Sequence, residues 1–162
     1  MNDLTTIKKI SEGAFNSNNW LLLQLARNYD GNLLLLYFNY QNQYLQMIII
    51  TMDGNTPRIS RTVNVGTDMD DTYSEAARMT VLKNGLVVFC YQTSVLNSKI
   101  RAAQIDGTVV TFGPAVATNE TILAEYGDRK VFGINSGAII ADINENLTIT
   151  ITYLTGNVSG GT

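Results

Sequence analysis

Histidine is absent from the 162 residues, and cysteine occurs once, at Cys90. Together these exclude His-based catalytic triads, His metal sites, Cys-rich zinc sites and any disulfide within the chain. Charge is also scarce. Only 15% of residues are charged, 11 Lys+Arg against 14 Asp+Glu for a net charge of -3, where an average soluble domain carries about a quarter. Neutralising phosphates needs several basic groups on one face, and the chain has no Lys or Arg cluster, so nucleic acid is not an expected partner. The apolar runs are too short to cross a bilayer, and Met1 to Thr6 lack the basic-then-apolar order of a signal peptide, so neither a membrane nor an export signal is expected. What is present is 45% hydrophobic residues, enough for one globular domain, with Asn, Thr, Tyr and Gln on a surface that suits neutral polar partners.

A repeat organises the sequence. Leu33 to Phe38, a polar gap, Met47 to Met52 and then Asp53-Gly54 are echoed by Leu86 to Tyr91, a gap, Lys99 to Ile105 and then Asp106-Gly107, at a constant shift of 53 positions. Arg129 to Gly133, Ala138 to Ile143 and Leu147 to Tyr153 form a third, shorter copy. An apolar stretch precedes each copy, at Trp20 to Ala26, Ala76 to Leu82 and Thr121 to Glu125, which gives four strand candidates per unit. Asp30-Gly31, Asp53-Gly54, Asn84-Gly85 and Asp106-Gly107 supply residues that tolerate positive φ in hairpin turns. Helix is the rival reading for Trp20 to Asn28 and Thr72 to Lys83 on propensity. Strand is preferred because each stretch runs into a turn that opens a Leu/Val/Tyr/Phe run.

Four antiparallel strands per repeat, with inner strands apolar on both faces, predict an all-β fold of β-propeller-like repeats. About three four-stranded blades are expected, at residues 20–67, 72–118 and 121–154. A spare N-terminal strand at Thr5 to Ser11 and a linker fill residues 1–19, and 155–162 form a flexible tail. Outer strands are expected at Arg58 to Val63 and Thr111 to Ala117. A β-sandwich is the alternative. Three blades plus a spare strand do not close comfortably, which makes self-association into a homo-oligomer an expectation.

Thr72, Ala76, Asn84-Gly85-Leu86-Val87-Val88-Phe89-Cys90-Tyr91, Ile105-Asp106-Gly107-Thr108 and Phe112-Gly113-Pro114-Ala115-Val116 together resemble the propeller-type repeats of bacteriophage tail-fibre, baseplate and other virion proteins. The resemblance implies a non-enzymatic virion structural protein, located in the virion, that docks to other virion proteins or to a host-surface glycan. Lectins with small propeller blades share the plan and give the first alternative function; a glycan-cleaving enzyme on the same scaffold gives the second. Such lectins place an aromatic with Arg and Glu in every blade, and this chain departs from them in having one Trp.

Candidate chemistry is sparse. Asp68, Asp70, Asp71 and Glu75, and likewise Asp142, Asn144 and Asn146, alternate as calcium ligands do, but acidic loops and turns are commonly just solvated. Asp71, Glu75 and Glu125 are the acids available for hydrolysis, without a convergent motif. Cys90, in an apolar strand with no His, reads as a core residue. No catalytic residue, metal or cofactor is therefore expected. The binding candidates are Tyr40, Tyr44, Trp20, Arg27 and Arg78. Tyr40 and Tyr44 flank a Gln-Asn-Gln hairpin that suits a sugar face, or they form a cross-strand pair beside core Tyr37 and Phe38. Trp20 serves as a platform or in packing, and Arg27 and Arg78 hold comparable places before the inner runs. Sequons at Asn119, Asn146 and Asn157 follow from composition.

Overall fold

A computed structural model describes residues 19–69, 71–83, 85–94, 97–118, 130–134, 137–143 and 149–155. Every regular element among them is a β-strand except one 3₁₀ turn, Asp71–Ala76. The expected N-terminal strand Thr5 to Ser11, the stretch Thr121 to Glu125, the sequons at Asn119, Asn146 and Asn157, and residues 156–162 lie outside the described residues.

Sheet 1 is an antiparallel meander of β1 (Trp20–Arg27), β2 (Leu33–Asn39), β3 (Tyr44–Asp53) and β4 (Thr56–Gly66). Sheet 2 repeats it with β5 (Arg78–Val81), β6 (Leu86–Ser94), β7 (Asn97–Asp106), β8 (Val109–Phe112) and β9 (Val116–Thr118). Sheet 3 contains β10 (Lys130–Ile134), β11 (Gly137–Ile143) and β12 (Ile149–Thr155) in sequence order, and the backbone of β10 runs beside β5. Pairing is antiparallel throughout, as hairpins require. Gly54 at φ 60 and Gly107 at φ 58 close the third hairpin of each unit. In both, the next residue has an ordinary negative φ, the arrangement that puts glycine first in a two-residue hairpin turn.

Two expected strands differ from the structure. Ala76 to Leu82 forms strand only at Arg78–Val81, because Asp71–Ala76 coils into the 3₁₀ turn, with Ser74, Ala76 and Ala77 buried. Small side chains let that turn tuck under the core, and Arg78 Nη1 ties down the carbonyls of Glu75 and Ala77. The outer strand Thr111 to Ala117 is split: β8 pairs with Ala103–Asp106 of β7 and β9 with Ser98–Ile100, with Gly113-Pro114-Ala115 between them. Proline cannot donate to a ladder, and the strand breaks there.

The repeat also departs from a constant shift. The turns closing the first hairpins carry identical hydrogen bonds, Asn28 N to Asn32 O and Gly31 N to Asn28 O in one, Leu82 N to Leu86 O and Gly85 N to Leu82 O in the other. Gly31 and Gly85, both at φ 85, are 54 positions apart, whereas Gly54 and Gly107 are 53 apart. Leu33 opposes Ile50, and Val87 opposes Ala103, so the connection between the two central strands is one residue shorter in sheet 2. The counterpart of Leu33 is therefore Val87 and not Leu86; Leu35 corresponds to Phe89 and Tyr37 to Tyr91. A one-residue slip moves side chains to the other face.

With that register, each sheet has a forward and a rear face. One buried cluster joins the forward face of sheet 1 (Leu34, Leu36, Phe38, Met47, Ile49) to the rear face of sheet 2 (Met79, Val87, Phe89, Tyr91, Ala103). The forward face of sheet 2 carries a second cluster, Leu82, Leu86, Val88 and Cys90, which places Val88 and Cys90 in the core as expected. The rear face of sheet 1 carries a third, Tyr37, Ile48 and Ile50, with Trp20, Leu33 and Leu35 packed on it. Gln24 Oε1 accepts the Met79 N–H at 2.8 Å, and Arg101 Nη1 donates to the Val65 carbonyl at 2.7 Å, so polar bonds also cross the seam between sheets 1 and 2.

Candidate functional site

A groove of about 280 Å³ opens where the first-hairpin turns of sheets 1 and 2 stand side by side, lined by Asn28, Tyr29, Asp30, Lys83, Gln104 and their neighbours. Its shape follows from the repeat: two equivalent turns on adjacent sheets project at the same end of the seam, and the end of β7 forms the floor. Asn28, 6% exposed, braces the first turn, its Oδ1 accepting the Asn32 N–H at 2.9 Å. Asp30 Oδ2 accepts from the Asn28 side chain at 3.3 Å and from the Gly107 N–H at 3.2 Å. Asn32 Nδ2 donates to the Gly107 carbonyl at 3.2 Å. The carboxylate and its turn are thus fixed to sheet 2, while Tyr29 stands 63% exposed beside them.

Chemically the groove offers a ring, a carboxylate, an ammonium and an amide. It can stack on one face of a small polar molecule and bond its hydroxyl or amide groups. Its described lining includes no Cys, Ser or Thr side chain. Among the described residues, no three of the Asp, Glu and Cys side chains gather as a metal site would require. Asp68 is paired with Lys99, and Glu75 lends its carbonyl to Arg78. Glu125, Asn144 and Asn146 lie outside the described residues.

The residues singled out from sequence sit elsewhere and do not converge. Trp20 packs on Tyr37, ring centroids 4.3 Å apart, on the rear face of sheet 1. Tyr40 is 47% exposed and meets Phe38 edge-on at 5.1 Å. Tyr44 stands opposite Asn39 in the ladder, on the Tyr37 side, so Tyr40 and Tyr44 share neither a platform nor a cross-strand pair. Arg27 is exposed, with its guanidinium over Gly31. It opposes Leu33, whereas Arg78 opposes Cys90. Their positions are not comparable: Arg78 corresponds to Gln24 and Arg27 to Val81. Sequence reasoning passed over Tyr29, Asp30, Lys83 and Gln104. The signal was the recurrence of a Gly turn at Gly31 and Gly85, which a packed repeat brings together.

Among the described residues two groups are electrostatically perturbed, and both belong to the core. Burial pushes the Tyr37 phenol above its ordinary pKa. Burial likewise raises that of Tyr91, with the Asp68 carboxylate adding to the rise and the Arg101 guanidinium opposing it. These equivalent tyrosines mark the same packing position twice. No protein-family model, curated protein or solved structure matches the chain.

Proposed function

We propose that the chain is a non-enzymatic structural module of a bacteriophage virion, of tail, baseplate or head-fibre type, built from propeller-like blades. It docks to copies of itself and to other virion proteins, and it presents a surface to the host. The observation that carries this reading is the packing sense of the repeat: the forward face of sheet 1 meets the rear face of sheet 2. A pseudo-two-fold sandwich would bring equivalent faces together, whereas successive blades meet front to rear. The groove supports a surface-binding role, because it combines the exposed Tyr29 ring with the hydrogen-bonding groups of Asp30, Lys83 and Gln104. It is also the observation that favours a second reading, a carbohydrate-binding lectin with small blades.

The test is co-sedimentation. Protein produced alongside phage particles in its source culture should band with the particles in a density gradient and stay attached at high salt. Recovery solely in the soluble fraction, together with saturable binding of one simple sugar on a glycan array, would replace the virion reading with the lectin. Polysaccharide turnover by the purified protein would overturn both.

A further inference from the structure

The groove at the seam is a composite that neither repeat makes alone. Tyr29 and Asp30 come from the first-hairpin turn of sheet 1, Lys83 holds in the turn of sheet 2 the place that Tyr29 holds in the first, and Gln104 comes from the end of β7. All four are exposed, and Ile105, only 5% exposed, closes the groove against the core. Asp30 Oδ2 is engaged by the Asn28 side chain and the Gly107 N–H, which fixes the carboxylate and leaves Oδ1 as an acceptor. The Tyr29 hydroxyl, the Lys83 ammonium and the Gln104 side-chain amide make no hydrogen bond or ion pair with another described residue. Unused polar ends and an exposed ring therefore line one groove whose turns are tied together.

The two charges of this lining cancel, so an anion meets Asp30 and a cation meets Lys83. A zwitterion would form two exposed ion pairs, which contribute little in water. A neutral ring bearing hydroxyls uses every group instead, because each hydroxyl both donates and accepts. We propose that the groove binds one neutral pyranose unit, its C–H face on the Tyr29 ring and its neighbouring hydroxyls shared among Asp30 Oδ1, Lys83 Nζ and the Gln104 amide. The volume of about 280 Å³ lies just below the roughly 300–1,000 Å³ of drug-sized ligand sites, which is room for a single sugar ring. The proposal rests on the host-facing surface in the reading above and names its ligand class and its residues. Because the ligand touches both sheets, its binding also holds the seam closed.

The probes are the methyl glycosides of glucose, galactose, mannose and N-acetylglucosamine, titrated to about 20 mM against the full chain by saturation-transfer NMR. At least one should bind saturably and raise the melting temperature. Tyr29→Ala and Gln104→Ala should each weaken that binding about fivefold, through lost stacking and a lost hydrogen bond, while Tyr29→Phe retains it. Melting of the sugar-free variants should match the wild type, because both side chains are exposed. Three results would overturn the proposal: no glycoside binding, binding indifferent to both alanine variants, or tighter binding of glucuronate or of a zwitterionic amino acid than of every glycoside. A chain that bands with phage particles and binds no glycoside would refute this site and leave the virion reading standing. A chain found only in the soluble fraction that binds through Tyr29 and Gln104 would keep the site and remove the virion reading.

Discussion

Sheets 1 and 2 are built on one plan from sequences that fill it differently. On the rear face, sheet 2 sets Met79, Val87, Phe89 and Tyr91 into a closed seam, while sheet 1 leaves Leu22 and Leu25 open beside a buried Tyr37. In the central strand, Ile48 of sheet 1 corresponds to Arg101 of sheet 2. Arg101 lies in the seam, satisfied by the Val65 and Gly113 carbonyls and stacked 4.3 Å from the Phe112 ring centroid. The comparison shows that the plan resides in the backbone, through the two glycine turns and the ladders they register, and that a position's chemistry follows what stands against it. A guanidinium is accommodated where carbonyls and an aromatic ring receive it.

The sharpest way to break the comparison is to place the same charge at equivalent sites. Met79→Asp should abolish cooperative folding, because a buried unpaired carboxylate costs several kcal/mol, comparable to the whole stability of a domain. Leu25→Asp in dilute solution should shift stability by no more than about 0.5 kcal/mol, as exposed substitutions do. Urea melts of both proteins decide the matter, and equal losses would refute the assignment of counterparts. Next in size, Phe89→Ala should cost about 3–5 kcal/mol, while Leu35→Ala, half-buried at the same position, should cost about 1–2 kcal/mol.

Two glycines separate crowding from backbone strain. A Cβ on Gly66 would lie 2.8 Å from the Tyr91 ring, so Gly66→Ala should cost about 1–3 kcal/mol by forcing the two sheets apart. A Cβ on Gly54 meets nothing within 4 Å, so Gly54→Ala should cost about 1 kcal/mol through its positive φ alone. The double variant Gly66→Ala, Tyr91→Leu should recover part of the first loss and none of the second. The smallest effect expected is alkaline. Tyr37 and Tyr91 have raised folded-state pKa values, so their contribution is full below the unfolded phenol value of about 10. It is lost as pH rises through 10 toward the folded values. Stability measured between pH 9 and pH 11 should fall less steeply in Tyr91→Phe than in the wild type.

Most of the strands and turns were legible in the sequence. Asp53-Gly54 and Asp106-Gly107 announced their hairpins, and continuous apolar runs at β2 and β6 announced strands buried on both sides. That same continuity hid the face of each residue. Alternation is what tells inside from outside, and a run such as Leu-Val-Val-Phe-Cys-Tyr has none, so a 53-position match concealed a slip to 54. The pairing of Tyr37 with Tyr91 held the correct register all along. Pro114 signalled the break in the outer strand, although flanking Thr and Val kept the strand pattern going. The groove was illegible for another reason: Tyr29, Asp30, Lys83 and Gln104 belong to different sheets, and only packing makes them neighbours.

The seam between sheets 1 and 2 has a cost in time. Leu34 to Ile49 complete an apolar face whose cover is finished only at Ile105. At about 5–20 residues per second, a ribosome takes roughly 3–11 s to deliver the roughly 56 residues from Ile49 to Ile105. Once Gly66 has been added, sheet 1 is complete in sequence while its forward face still lacks its cover, and neighbouring ribosomes on one message hold identical uncovered faces close together. Slower translation of the stretch between Gly66 and Arg78 should therefore raise the insoluble fraction of newly made protein, read by sedimentation, while the melting curve of the soluble product stays unchanged.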